Sequence, residues 1–243
     1  MTELIITEIT LMRPGFCVIG LEEVQRSFRS IRPIPPTGYS WRTFGHKRGD
    51  VLRFDLVSKV GSRPHVEDRN STGVVRIVGQ RTESDLLECL RLAEVADQVR
   101  DLFGCEVRES PMGGPSVWVE PKEAKRSICG CRFDNIHFQV YPDRMRVALS
   151  LPSGETLRGL PVVDRDWNGF ADQCVERIGG THARDDLEQF LNSEIRRLIL
   201  DRSRGFARIG LPRPDNKGCS WLMLDSLFPL PQSAWLDDLD RAA

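Results

Sequence analysis

The sequence predicts an α+β, mainly β fold: two small β-barrels, a helix connecting them, and two further helices in the C-terminal part. Three observations carry that prediction. Short runs rich in β-branched and aromatic residues alternate with Gly/Pro turns in residues 1–80 and again from Ser116 onward. Between these stretches the apolar spacing changes to that of a helix. Finally, 243 residues, 40% hydrophobic and 28% charged, suffice for one large or two small globular units without disulfide or metal staples. The predicted boundaries are 1–80 for the first barrel, 81–115 for the connecting helix and loop, and 116–235 for the second barrel with inserted helices.

ELIITEITL at 3–11 reads as an opening strand closed by the turn Arg13-Pro14-Gly15, with Phe16 to Leu21 returning as its hairpin partner. In RSIRPIPP the prolines exclude a helix and force an extended exit, which puts Tyr39, Trp41 and Phe44 on a loop. After the Lys47-Arg48-Gly49-Asp50 turn, VLRFDLV alternates Leu52, Phe54 and Leu56 with Arg53 and Asp55, so one face is buried and one is wet. TGVVRIV from Thr72 adds a fifth strand. Five strands in about 80 residues match a small barrel of the oligonucleotide/oligosaccharide-binding (OB) kind.

A helix is predicted from Ser84 to Phe103, capped by Thr82 with Asp85 and carrying Leu86, Leu87, Leu90, Ala93, Val99 and Leu102 on one face. Its other face is acidic, which fits a solvated or protein-facing element. SVWVE, RSICGCRF, IHFQVY, RVALSL and TLRGLPVV then give a second set of strands, a strand count that again fits an OB-like barrel. Two helices, 166–178 and 184–203, each end at a glycine. FARIGLPRP and CSWLMLDSLFPLP are two last strands, and LDDLDRAA a frayed acidic tail.

Seven cysteines, an odd number, and no apolar N-terminal leader point to free thiols and a cytoplasmic location. No uncharged apolar run approaches the roughly 18–20 residues needed to cross a bilayer, so no membrane partner is expected. No cofactor is expected either. Cys129-Gly130-Cys131 lacks a second ligand pair beyond His137 and reads as a strand with half-buried thiols. His46, His65, His137 and His182 are scattered without a neighbouring nucleophile motif. Asp164, Asp166, Asp185 and Asp186 stand at helix starts, where carboxylates serve the macrodipole. Met112-Gly113-Gly114-Pro115 lacks the Lys and Ser/Thr of a phosphate loop. No catalytic residues are assigned.

The charge is unevenly spread. Between Arg26 and Arg63 nine basic residues face two acids, a local +7 in a chain of net −1. Arg32, Tyr39, Trp41, Arg42, Lys47 and Arg48 combine cations with aromatic faces, the pairing that single-stranded nucleic acid needs. A second reading has Trp41 and Phe44 plugging the barrel end while the cations solvate its surface. The overall pI near 6.5 lends the nucleic-acid reading no support.

CVIGLE, SIRPIP, GDVLRFDLV, DRDWNGF, and RIGLPRP followed by CSWLMLDSLFPLP together resemble the bacterial dual OB-fold domain proteins. The resemblance spans most of the chain through short motifs. Ser30 departs from it, standing where an aromatic is expected before Ile31-Arg32-Pro33. The resemblance implies two OB barrels, nucleic-acid binding, and an accessory role beside partner proteins in a bacterial conflict or defence system. The alternative is a protein–protein adaptor subunit, consistent with the acidic helix face and the prolines.

Overall fold

The computed structural model describes every residue except 37, 39, 60–62, 73–75, 111–113, 202–204 and 243, and the side chains of all described residues except 58, 59, 238 and 240–242. It is mainly β, with 42% strand and 23% helix.

β1 (Thr2–Leu11) pairs antiparallel with β2 (Phe16–Val24), which turns at Gln25 and Arg26, both at positive φ, into β3 (Ser27–Ile34). β4 (Asp50–Phe54) and β5 (Leu56–Lys59) are one stretch broken at Asp55. β4 lies antiparallel to β1, whereas β5 lies antiparallel to β6 (Asp68–Ser71), itself parallel to the end of β3. β7 (Arg76–Gln80) borders β4, giving the order β5-β6-β3-β2-β1-β4-β7. Because β5 continues β4, the sheet curls on itself as a half-barrel. Leu4, Ile6 and Ile9 meet Val18, Leu52 and Phe54 inside it. A bulge between Ile6 and Glu8 lets Ile6 and Ile9 share that face despite their odd spacing.

α1 (Glu83–Arg91) has the expected capping box, Thr82 accepting from Asp85 N and Asp85 from Thr82 N. It ends at Arg91 and does not continue to Phe103. Val95–Ala96 instead forms β8, parallel to the strand at 128–133, where Gly130 N donates to Glu94 O at 3.0 Å. A 3₁₀ turn at Val99–Asp101 then delivers Leu102 and Phe103 to the core.

β9 (Arg108–Glu109) and β10 (Val117–Val119) form a small ribbon. β11 (Ile128–Phe133) and β12 (Asn135–Tyr141) are again one stretch, broken at Asp134. β13 (Arg144–Ser150) and β14 (Thr156–Pro161) extend β12 as a meander. α2 (Arg165–Ile178) follows, its N-cap Asp164 accepting from Asp166 N and Trp167 N. The long helix predicted over 184–203 is broken into α3 (Ala183–Phe190), a π-helical turn at Leu191–Ile195, and α4 (Arg196–Asp201). At that turn Asn192 hydrogen-bonds both the N–H and the C=O of Phe138, completing the outer edge of β12.

β15 (Gly205–Gly210) lies against β11, β16 (Ser220–Trp221) against β10, and β17 (Met223–Phe228) against β15. β17 also reaches the end of β14 through the parallel bridge Val162–Leu224. The predicted frayed tail is helix α5 (Ala234–Ala242), because Trp235 and Leu239 are buried and Trp235 packs on Trp167 and Phe170.

The two halves of the chain are in contact. They share an apolar cluster in which Ile5, Leu21, Leu86 and Leu90 meet Phe206 and Phe228, and Leu11 N donates to Val163 O at 2.7 Å.

Candidate nucleic-acid interface

The structure divides the five described residues among the six predicted for binding into three groups. Arg32 and Arg48 are buried and committed to internal pairs, which a sequence-local charge count cannot reveal. Arg32 Nη1 donates to Asp68 at 2.9 Å and approaches His65 Nδ1 at 2.9 Å, while Nη2 donates to Ser127. Arg48 donates to Asp164 at 2.9 Å, to Asp166 at 2.7 Å and to Ser226 at 2.7 Å, all from the second half of the chain. Neither guanidinium is therefore open to a phosphate, which would have to displace buried carboxylates.

Trp41 is half-buried; its Nε1 donates to Pro33 O, and its ring packs beside Phe44 and Phe54 at the end of the half-barrel. Arg42 and Lys47 are exposed. Tyr39 lies outside the described residues.

The Arg13-Pro14-Gly15 turn packs directly onto the Trp41–Arg42 segment. Phe16 N donates to Trp41 O at 2.7 Å and Ser40 Oγ to Pro14 O at 2.5 Å. A Cβ on Gly15, at φ +89°, would fall 2.0 Å from Trp41 O, so the approach requires glycine there. Arg13, also exposed, thereby joins Arg42 at the same end of the sheet, a neighbour that reading the sequence missed.

Two further pairs close the seam. Arg208, fully buried on β15, donates to Glu8 at 2.5 Å and to Ser30 at 2.6 Å. Ser30 is thus a seam contact. Glu67 accepts from Ser127 N and Ser127 Oγ at 2.9 and 2.8 Å.

Beside the Arg13 turn lies a cavity of about 220 Å³ between the halves, walled by Leu11, Met12 and Ile34 from the first and Pro212 and Met223 from the second. Its polar lining includes Arg32, His65 and Asp225, all buried, and the exposed Arg213. Burial foremost, aided by the neighbouring Glu8, pushes the Asp225 carboxyl up to about 7. Burial and the adjacent Arg32 and Arg213 pull His65 down to about 3. Arg32 can only donate, so His65 Nδ1 is the acceptor and the neutral ring carries its proton on Nε2. His65, Asp225 and Met223 carried no motif that could have singled them out.

Elsewhere, burial raises the Cys129 thiol to about 11 and that of Cys131 further, leaving both protonated and inert. Comparison with protein-family models, with curated proteins and with solved structures gives no match.

Proposed function

We propose that the protein binds single-stranded or flexible nucleic acid non-catalytically, with two OB-like barrels welded into one body. Strand order supports the barrels. In the first half β1-β2-β3 is a meander, β6 runs parallel to β3, and the β4/β5 stretch spans from β6 back to β1. In the second half β11/β12, β13 and β14 form the meander, β17 bridges β14 in parallel, and β15 joins β17 to β11. These pairings support the Greek-key order of a five-stranded OB barrel, a fold whose sheet face and loops hold oligonucleotides. The resemblance extends this role to an accessory component of a bacterial conflict or defence system.

One observation carries the reading: Arg13 and Arg42 stand on two loops locked together beside a cavity, with Lys47 exposed further along the second loop. The test is fluorescence anisotropy of labelled single-stranded DNA and RNA at two salt concentrations. Wild type binds with a salt slope that falls by about 1 for each phosphate contact removed. Arg13→Glu/Arg42→Glu/Lys47→Glu loses that binding while melting like wild type, since all three positions are exposed. Absence of salt-dependent binding by wild type at micromolar protein refutes the reading.

The adaptor reading is favoured by one separate feature: β7 is a sheet edge carrying Ile77 58% and Val78 38% exposed, the kind of strand that pairs with another chain. Light scattering of the protein co-expressed with its operon neighbours distinguishes a stable complex from a solitary monomer.

A further inference from the structure

Three of the side chains that line the cavity between the halves carry a polar atom that is buried and unpartnered among the described residues: Arg32 Nε, His65 Nε2 and Asp225 Oδ1. Leaving a buried donor or acceptor unpaired costs about 1–3 kcal/mol, so three around one cavity call for an explanation. Two of them, Arg32 Nε–H and His65 Nε2–H, are donors, and the third belongs to a carboxyl group.

The remaining walls are apolar. Leu11 and Met12, at 44% and 41% exposure, are among the large hydrophobic side chains that the molecule leaves in solvent, and both border this cavity. At about 220 Å³ the space falls below the roughly 300–1,000 Å³ of pockets for drug-sized ligands. It admits one ring system and leaves any larger remainder of the ligand outside. Arg213 lines the same cavity, and Arg13 directly follows Met12 on the turn beside it.

We propose that this cavity is a pocket for a single nucleobase, taken in with its flat faces against Met12, Met223 and Ile34 and its edge toward Arg32, His65 and Asp225. A base edge offers acceptor and donor atoms side by side, which complements two N–H donors and a carboxyl group. The sugar and phosphate stay outside with the cations. The pocket deepens the nucleic-acid reading and rests on it for the identity of the ligand, but it reads bases where Arg13, Arg42 and Lys47 hold phosphates.

The experiment separates the two. Binding of AMP, GMP, CMP and UMP, each alone at millimolar concentration, is followed by saturation-transfer NMR on the full chain. In parallel, anisotropy is measured on an oligonucleotide and on its copy with abasic positions. At least one of the four mononucleotides binds wild type, and Met223→Trp, which fills the cavity, abolishes that binding. Asp225→Asn weakens it about tenfold, and the loop charge reversal lowers oligonucleotide affinity while leaving mononucleotide binding in place.

If none of the four binds, or if binding persists in a Met223→Trp protein that melts like wild type, the pocket is refuted. Salt-dependent oligonucleotide binding that is indifferent to abasic positions then leaves the surface reading standing alone. Should Met223→Trp fail to fold, Met12→Trp at the exposed rim makes the same block, and its retention of mononucleotide binding is equally refuting.

Discussion

Replacing Arg48 by Met tests whether this cation belongs to the seam or to a binding surface. The Arg48 side chain is 1% exposed and Asp164 2%, and their contact is supported by Asp166, Ser226 and the face of Phe228, 5.5 Å from the guanidinium. Methionine keeps much of the length and removes the charge, leaving the Asp164 carboxylate buried without its counter-ion. Removing one partner of such a pair costs about 3–5 kcal/mol. At about 2–4 °C per kcal/mol for a protein of this size, the melting temperature drops by roughly 6–20 °C.

Burial already raises the Asp164 pKa against the pull of Arg48. Without Arg48 it rises further, so the penalty is full where Asp164 must ionise and shrinks as acid protonates it. Urea denaturation at two pH values reads both the size and the slope. Asp164→Asn is more destabilising in wild type, where it leaves Arg48 with Asp166 as its one carboxylate, than in the Arg48→Met background. Arg42→Met stays within about 0.5 kcal/mol of wild type as the exposed control. A loss under about 1 kcal/mol for Arg48→Met, or an equal effect of Asp164→Asn in both backgrounds, refutes the assignment of Arg48 to the seam.

Asp225 lies among Glu8, Arg32, Arg208 and Asp164, and its carboxyl is raised from the ordinary value near 4 to about 7. The folded form binds a proton that the unfolded chain releases, so its stabilising contribution is lost as pH rises from about 4 to 7. Asp225→Asn should therefore gain on wild type by up to about 3 kcal/mol between pH 5 and pH 8, at about 1.4 per unit; a pH-independent difference in urea midpoints contradicts this. Gly205→Ala would set a Cβ 2.0 Å from the Phe133 ring, and an overpacking loss of about 1–3 kcal/mol is expected in the same assay.

Strand content and turn positions were legible because period-2 alternation and Gly/Pro punctuation are local signals. The Ile/Thr run of β1 and the alternation in β4 reappear in place. The end of α1 was not legible. Val99, Leu102 and Phe103 suit helical spacing, but the sheet claims Val95 and Ala96 first, through pairing with residues 35 positions on. The Gln25-Arg26 hairpin turn escaped notice because neither residue is the glycine or asparagine that positive φ favours. In WLDDLDRAA the acidic residues concealed the Trp235 and Leu239 stripe that anchors α5.

The site divided along the same line. Exposure of Arg42 and Lys47 agrees with a loop reading, while Arg32 and Arg48 find carboxylates 36 and 116 positions away. Pairings at that range follow from topology, and the cavity, built from both halves, has no signature in either.

The Glu8–Arg208 pair spans 200 positions. At about 5–20 residues per second a ribosome needs roughly 10–40 seconds to reach Arg208 after making Glu8. Throughout that interval the nascent first half holds Glu8 without its guanidinium and Ile5 and Leu21 without the rings of Phe206 and Phe228 that cover them. Until the last strands arrive, that apolar surface has no native cover from the second half. A message cut short anywhere before β15 yields a fragment that lacks Phe206, Phe228 and Arg208, and so leaves Ile5, Leu21 and Glu8 without their native partners.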